Sequence, residues 1–182
     1  MRLFVLLSLW SISIQAAIFD QVQLPQSSIT FVSKQMNVPA EGKFNQFTVQ
    51  LQFDPSKLET AQAQLEIDLN SIETGSPEAN EEVKSKGWFY TKNFPTAKFI
   101  STSVKLLENN RYEVLGNMTI KGKTNPMTIT FEFKPQNNSA LFGGNFILKR
   151  SQFSIGEGIW SDTSIVSDEV LVHFKLSVLS TH

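Results

Sequence analysis

The chain has 182 residues, 41% hydrophobic and 18% charged, which fits one globular domain and excludes a disordered chain. A formal charge of −1 and a sequence pI near 6.1 offer no basic face for a phosphate backbone, so nucleic acid is excluded as a partner. Cysteine is absent, which removes thiol nucleophiles, thiolate metal sites and redox pairs, while fifteen phenylalanines stand against two tyrosines. Phenylalanine has no polar handle, so such a stock belongs in a core or along an apolar cavity.

Residues 1–17 carry the marks of an export signal. Met1-Arg2 gives a positive start, residues 3–14 are apolar apart from serines, and Gln15-Ala16-Ala17 supplies small residues for cleavage. The expected cut follows Ala16 or Ala17 and leaves a mature domain over residues 18–182. An apolar run of about a dozen residues is too short for a membrane anchor, which needs about 20. An exported chain without a disulfide is held together by its core alone.

Past residue 25 the dominant signal is a period of two, the mark of strands with one buried face. A first, less regular strand is expected over 28–33. Phe47, Val49, Leu51 and Phe53 then alternate with Thr48, Gln50 and Gln52, and Ala63, Leu65, Ile67 and Leu69 alternate with Gln64, Glu66 and Asp68.

The pattern breaks between Ser76 and Gly87. Ser76 suits a helix N-cap, Pro77 the first helical position, and Glu78, Glu81 and Glu82 the positive end of the dipole. A short helix is expected through about Lys86, closed by Gly87 in a left-handed conformation. The aromatic run Trp88-Phe89-Tyr90 follows, and Phe94-Pro95 forces the chain extended again.

Strands resume over 98–106 and 111–121, joined by a hairpin turn at Leu107-Glu108-Asn109-Asn110, with apolar residues on both faces of the second, as with Tyr112 and Val114 opposite Leu115. Such strands are expected to be covered on both sides. Gly122-Lys123-Thr124-Asn125-Pro126 and Pro135-Gln136-Asn137-Asn138 read as connections. Met127, Ile129, Phe131 and Phe133 form one strand face, a strand follows over 140–149, and Val170, Val172, Phe174, Leu176 and Val178 share the last face. The fold class is therefore all-β, an antiparallel sandwich or barrel of about eight strands with one short helix.

Catalytic machinery is not evident. His173 lies on the polar face of the last strand and His182 ends the chain, too few histidines for a His-rich zinc site. Gly156-Glu157-Gly158 lacks the further glycine, lysine and helix of a phosphate loop. Glu66 and Asp68 sit two apart on one strand face, about 7 Å by strand geometry, a spacing open to an inverting carboxylate pair. Their strand's other side is plainly core, so a solvated face is the better reading. The chain is read as no enzyme, with no metal and no cofactor.

Several blocks, in order, resemble the YceI-like family of periplasmic, polyisoprenoid-binding, lipocalin-like proteins. They run from Ser28-Ile29-Thr30-Phe31 through Phe53-Asp54-Pro55 to Ile67-Asp68-Leu69-Asn70-Ser71-Ile72-Glu73-Thr74-Gly75. Pro95-Thr96-Ala97-Lys98-Phe99, the run from Gly116 to Thr124, and Arg150-Ser151-Gln152-Phe153-Ser154-Ile155-Gly156 continue the likeness. It departs at Gln35, Asn80 and Tyr90, where the family commonly carries histidine, aspartate and aspartate.

The resemblance implies a periplasmic, lipocalin-like β-barrel that holds a polyisoprenoid, quinone or similar apolar small molecule. Alternating Phe, Leu and Ile describe a hollow lumen and a filled core equally, and the resemblance favours the lumen. The expected lining is Phe47, Val49, Leu51, Leu65, Ile67, Phe99, Val114, Ile129, Phe131, Phe146, Val172 and Phe174. The expected mouth is Trp88, Phe89, Tyr90 and Trp160, beside the helix and the 156–162 loop. The alternatives are a structural or stress-related barrel acting through a membrane partner, with an exposed patch around Trp88, Phe89 and Phe94, and an enzyme acting on isoprenoid lipids. A dimer is compatible with the sequence, which fixes no oligomeric state.

Overall fold

The computed structural model describes residues 17–181. Nearly all of the expected export signal, residues 1–16, and His182 lie outside the described residues. Strict alternation becomes strand wherever it occurs: β4 spans Phe47–Gln52, β5 Gln62–Asp68, β9 Lys123–Gln136 and β11 Glu169–Ser180. The less regular stretches give β2 (Ser28–Gln35), β7 (Thr96–Leu106), β8 (Arg111–Ile120) and β10 (Ser139–Lys149).

Three further strands bring the total to eleven among the described residues: β1 (Phe19–Val22), β3 (Val38–Phe44) and β6 (Ile72–Glu73). Each escapes a period-of-two reading for a physical reason. β1 has four residues and follows closely on the apolar run at residues 3–14. β3 carries Pro39 and Gly42, both strand-weakening. β6 has only two residues.

All pairings are antiparallel, in the order β4-β5-β7-β8-β9-β10-β11-β2-β3-β6, with β1 beside β11. The sheet curls into a half-barrel, and two ties bring its margins together. Phe19 and Phe53 exchange both backbone hydrogen bonds, at 2.9 and 3.0 Å. At the other tie the Asn45 N–H donates to the Ser71 carbonyl at 3.1 Å and the Asp68 N–H to the Gln46 carbonyl at 3.0 Å.

Two-residue turns do most of the connecting. Met36-Asn37, Asn109-Asn110 and Lys121-Gly122 all have positive φ at both residues, the twist that matches paired strands. The five-residue connection expected at 122–126 is thereby corrected, since β9 begins at Lys123 and takes Asn125 and Pro126 into the ladder opposite Met118 and Asn117.

The helix α1 spans Pro77–Lys84, with the Ser76 hydroxyl accepting from the Ala79 N–H at 3.1 Å as its cap. It stops two residues earlier than expected. Gly87 does not turn left-handed; the positive φ, 53°, falls on Tyr90, after a run of turns through Trp88 and Phe89.

Inward faces converge on one core. Within it the Phe53 ring lies 5.0 to 6.1 Å from those of Tyr112, Phe131, Phe133 and Phe142. Such pairs contribute about 0.5–1.5 kcal/mol each beyond their buried area. The expectation that β8 is covered on both sides is corrected: Tyr112 and Val114 are buried, but Leu115 on the outer face is 38% exposed. Arg111 and Asn117 on the same outer face are exposed as well.

Candidate functional site

The barrel holds a cavity of about 130 Å³ whose inner surface is apolar. Eleven side chains expected to line a lumen meet there: Val49 and Leu51 from β4, Leu65 and Ile67 from β5, Phe99 from β7, Val114 from β8, Ile129 and Phe131 from β9, Phe146 from β10, and Val172 and Phe174 from β11. Phe47 is placed differently, in a cleft described below.

The sequence reading missed Ile29, Val104, Met118, Phe142 and Leu176, and the wall also takes in Phe53 and, beside the β4–β5 turn, Gln52, Gln62 and Gln64. Leu176 shares the alternating face of Val172 and Phe174, so the signal for it was present. Ile29 pairs with Phe174 across β2 and β11, a neighbour relation that only the sheet order supplies.

The residues expected at the mouth gather at one barrel end, around Arg150. Trp88, Phe89, Tyr90 and Trp160 line neither the cavity nor the cleft. Trp88 packs on Trp160 with ring centroids 5.6 Å apart, Tyr90 packs on Phe94 at 6.1 Å, and Phe89 lies against the core. Trp88, Phe89 and Phe94 are half-buried, so they make no exposed patch either. The Trp160 indole N–H donates to Glu82 of α1 at 2.8 Å, while that of Trp88 has no hydrogen-bond partner among the described residues.

Arg150 is what fills this end. It is 3% exposed, and its guanidinium donates five hydrogen bonds of 2.7 to 3.1 Å to the carbonyls of Ile155, Gly156, Trp160, Val166 and Ser167. Its charge lies 5.8 Å from the Trp88 ring. Burial holds its pKa below the ordinary arginine value, with Asp168 opposing.

Further ties gather the neighbouring loops. The Lys121 ammonium donates to the Lys86 and Ser154 carbonyls and to the Glu157 carboxylate at 2.7 to 3.0 Å, and the Met36 N–H donates to the Ile165 carbonyl at 2.7 Å. The hydrogen bond from Lys121 also holds the Glu157 carboxyl below its usual pKa. Asn80, one of the family departures, ties α1 to the strand before it. Its side-chain oxygen accepts from both the backbone N–H and the hydroxyl of Thr74 at 2.7 Å.

On the flank of the barrel, a cleft of about 560 Å³ lies between the start of β2 and β4. Its apolar floor is Ile29, Phe44 and Phe47, and polar residues at its rim include Thr30, Lys43, Gln46, Thr48, Glu66 and Asp68. Ile29 belongs to both the cleft and the cavity.

The carboxylates at the rim are occupied as a solvated face would be. Glu66 accepts from Lys98 at 2.8 Å, which lowers its pKa, and Asp68 accepts from the Asn70 N–H at 2.9 Å. His173 is half-buried on β11 with Thr30 and Asn145 on either side. Among the described residues, no three His, Asp or Glu side chains converge as a metal site would require.

Known proteins share this architecture. The model of the YceI-like domain matches residues 21–178. The chain is similar to BcnA of Burkholderia cenocepacia, at 41% identity and a TM-score of 0.84, over 86% of this chain and 99% of that one. It shares its fold with a polyisoprenoid binding domain from Saccharophagus degradans implicated in plant cell wall breakdown, at 18% identity and a TM-score of 0.68, covering 91% of this chain and 99% of that one. A UPF0312 protein of Shewanella denitrificans is 33% identical over 88 residues, 48% of this chain and 46% of its own length. The chain thus spans about half the length of the curated relatives it matches.

Proposed function

This chain belongs to the YceI-like domain family, and on that footing we propose that it is a non-catalytic carrier whose barrel holds the apolar chain of a polyisoprenoid, isoprenoid quinone or similar lipid. One observation carries the reading: side chains from eight strands leave a cavity with an apolar inner surface where a filled core would leave none. The name of the Saccharophagus degradans domain agrees with it. The features of residues 1–17 support an exported, periplasmic setting.

The driving force is burial. Each five-carbon isoprene unit removed from water is worth up to about 4 kcal/mol, at about 0.8 per carbon, before the chain's lost freedom is deducted. The cavity volume of about 130 Å³ is close to that of an apolar cavity that takes up benzene, about 150 Å³. Alone it seats a ring-sized group. A longer chain must displace half-buried side chains such as Phe146 and Phe174, or continue beyond the cavity.

The test is native mass spectrometry of the protein mixed with prenols of increasing length. A one-to-one adduct with farnesol or a longer prenol is expected. Absence of an adduct at every length would refute the carrier reading.

A further inference from the structure

We propose that amphiphiles reach the cavity sideways, through the cleft between β2 and β4, and that this cleft holds an uncharged, hydrogen-bonding head group while the chain lies inside; the proposal rests on the carrier reading above. Side chains pack both barrel ends, and Gln52, Gln62 and Gln64 beside the β4–β5 turn are the polar part of the cavity lining. At one end Phe19, Phe53, Phe133 and Phe142 are buried and in mutual ring contact at 5.0 to 6.5 Å. At the other, Phe153 and Ile155 are buried beneath the loop that Arg150 gathers.

The flank is different. β4 ends the strand order and pairs through its length with β5 alone, so its other edge is not laddered to β2. The two ties, Phe19 with Phe53 and Asn45 with Ser71, frame the gap without closing it, and the cleft of about 560 Å³ occupies it. Ile29 is the common wall. Phe47, in sequence with the cavity residues Val49 and Leu51 and on the same face, stands in the cleft beside it. A chain passing Ile29 and Phe47 would go from one space to the other with apolar surface on both sides.

The rim selects the head by its charge balance. Glu66 is neutralised by Lys98 at 2.8 Å. Lys43, which has no ion-pair partner among the described residues, faces the same cleft as the Asp68 carboxylate. There is no surplus of cations to replace the hydration of a diphosphate. What remains is hydroxyl and amide groups, from Thr30, Thr48 and Gln46, suited to an alcohol, amide or carbonyl head.

The chain has no cysteine, so one introduced thiol can be labelled alone. Leu24→Cys places it on the cleft rim at a residue 41% exposed, and Ile159→Cys on the end loop at a residue 78% exposed. Each variant is compared, with and without a bulky maleimide, for the rate of farnesol uptake. The adduct at Leu24→Cys should slow uptake about tenfold or more relative to the same unlabelled variant, and the adduct at Ile159→Cys should not. Slowing at Ile159→Cys alone, equal slowing at both or slowing at neither would overturn the lateral route. Farnesol should also bind about tenfold more tightly than farnesyl diphosphate, and the reverse order would overturn the head assignment. If the unlabelled variants and the unaltered protein take up no farnesol or longer prenol, the carrier reading itself fails and the proposal with it.

Discussion

A Cβ atom at Gly144 would sit 2.5 Å from the Thr130 carbonyl oxygen and 2.9 Å from the Phe174 ring. Gly144 faces Phe174 across β10 and β11, so the missing side chain is the space in which the ring lies flat on the neighbouring strand. Gly116 does the same for Phe99, whose ring occupies the place of its absent Cβ. Both rings line the cavity, and both glycines therefore set its shape without touching it. Gly144→Ala must push either the Thr130 backbone or the Phe174 ring. The expected cost is about 1–3 kcal/mol in urea unfolding, as for other overpacked interiors, and an unchanged midpoint would contradict this account of the ring's position.

At the scale of elements, the loop between β10 and β11 depends on one residue. Arg150 donates to five carbonyls spread over residues 155–167. Lysine would offer three donors from one point in place of a planar fork of five. Arg150→Lys therefore leaves at least two carbonyls without a donor, at about 1–3 kcal/mol each. A fall in melting temperature of about 4 °C or more is expected for a domain of this size, and an unchanged melting temperature would show that the loop does not depend on the guanidinium.

This loop also marks where the sequence ceased to be legible. Strands β4, β5, β9 and β11 were readable because each buries one face, and the same alternation located eight wall residues of the cavity, with Phe99, Val114 and Phe146 added from the less regular strands. Arg150 carries no such signature, since a single arginine at a strand end looks like any surface charge. Trp88, Phe89, Tyr90 and Trp160 were placed at a mouth by the family likeness, and their places are set by contacts with Arg150, Glu82 and Phe94. Such contacts join segments far apart in sequence and follow no period. The flank cleft was illegible for a related reason: it exists because β4 lacks a second partner, which is a property of sheet order.

For the molecule as a whole, a curled antiparallel sheet packed at both ends and left open in its middle is a compromise between stability and capacity. Aromatic rings and the Arg150 loop supply the packing at the ends, while the half-buried side chains of β4, β10 and β11 leave the middle unfilled. Ile129, buried on β9 at the cavity wall opposite Val114, is the place to ask whether that space is used. The direct measurement is the affinity of Ile129→Trp for farnesol beside that of the unaltered protein, with the melting temperature recorded as a check on folding. An indole occupying the cavity should weaken binding at least about tenfold in a protein that still folds. Undiminished affinity in the folded variant would contradict the claim that the cavity holds the chain.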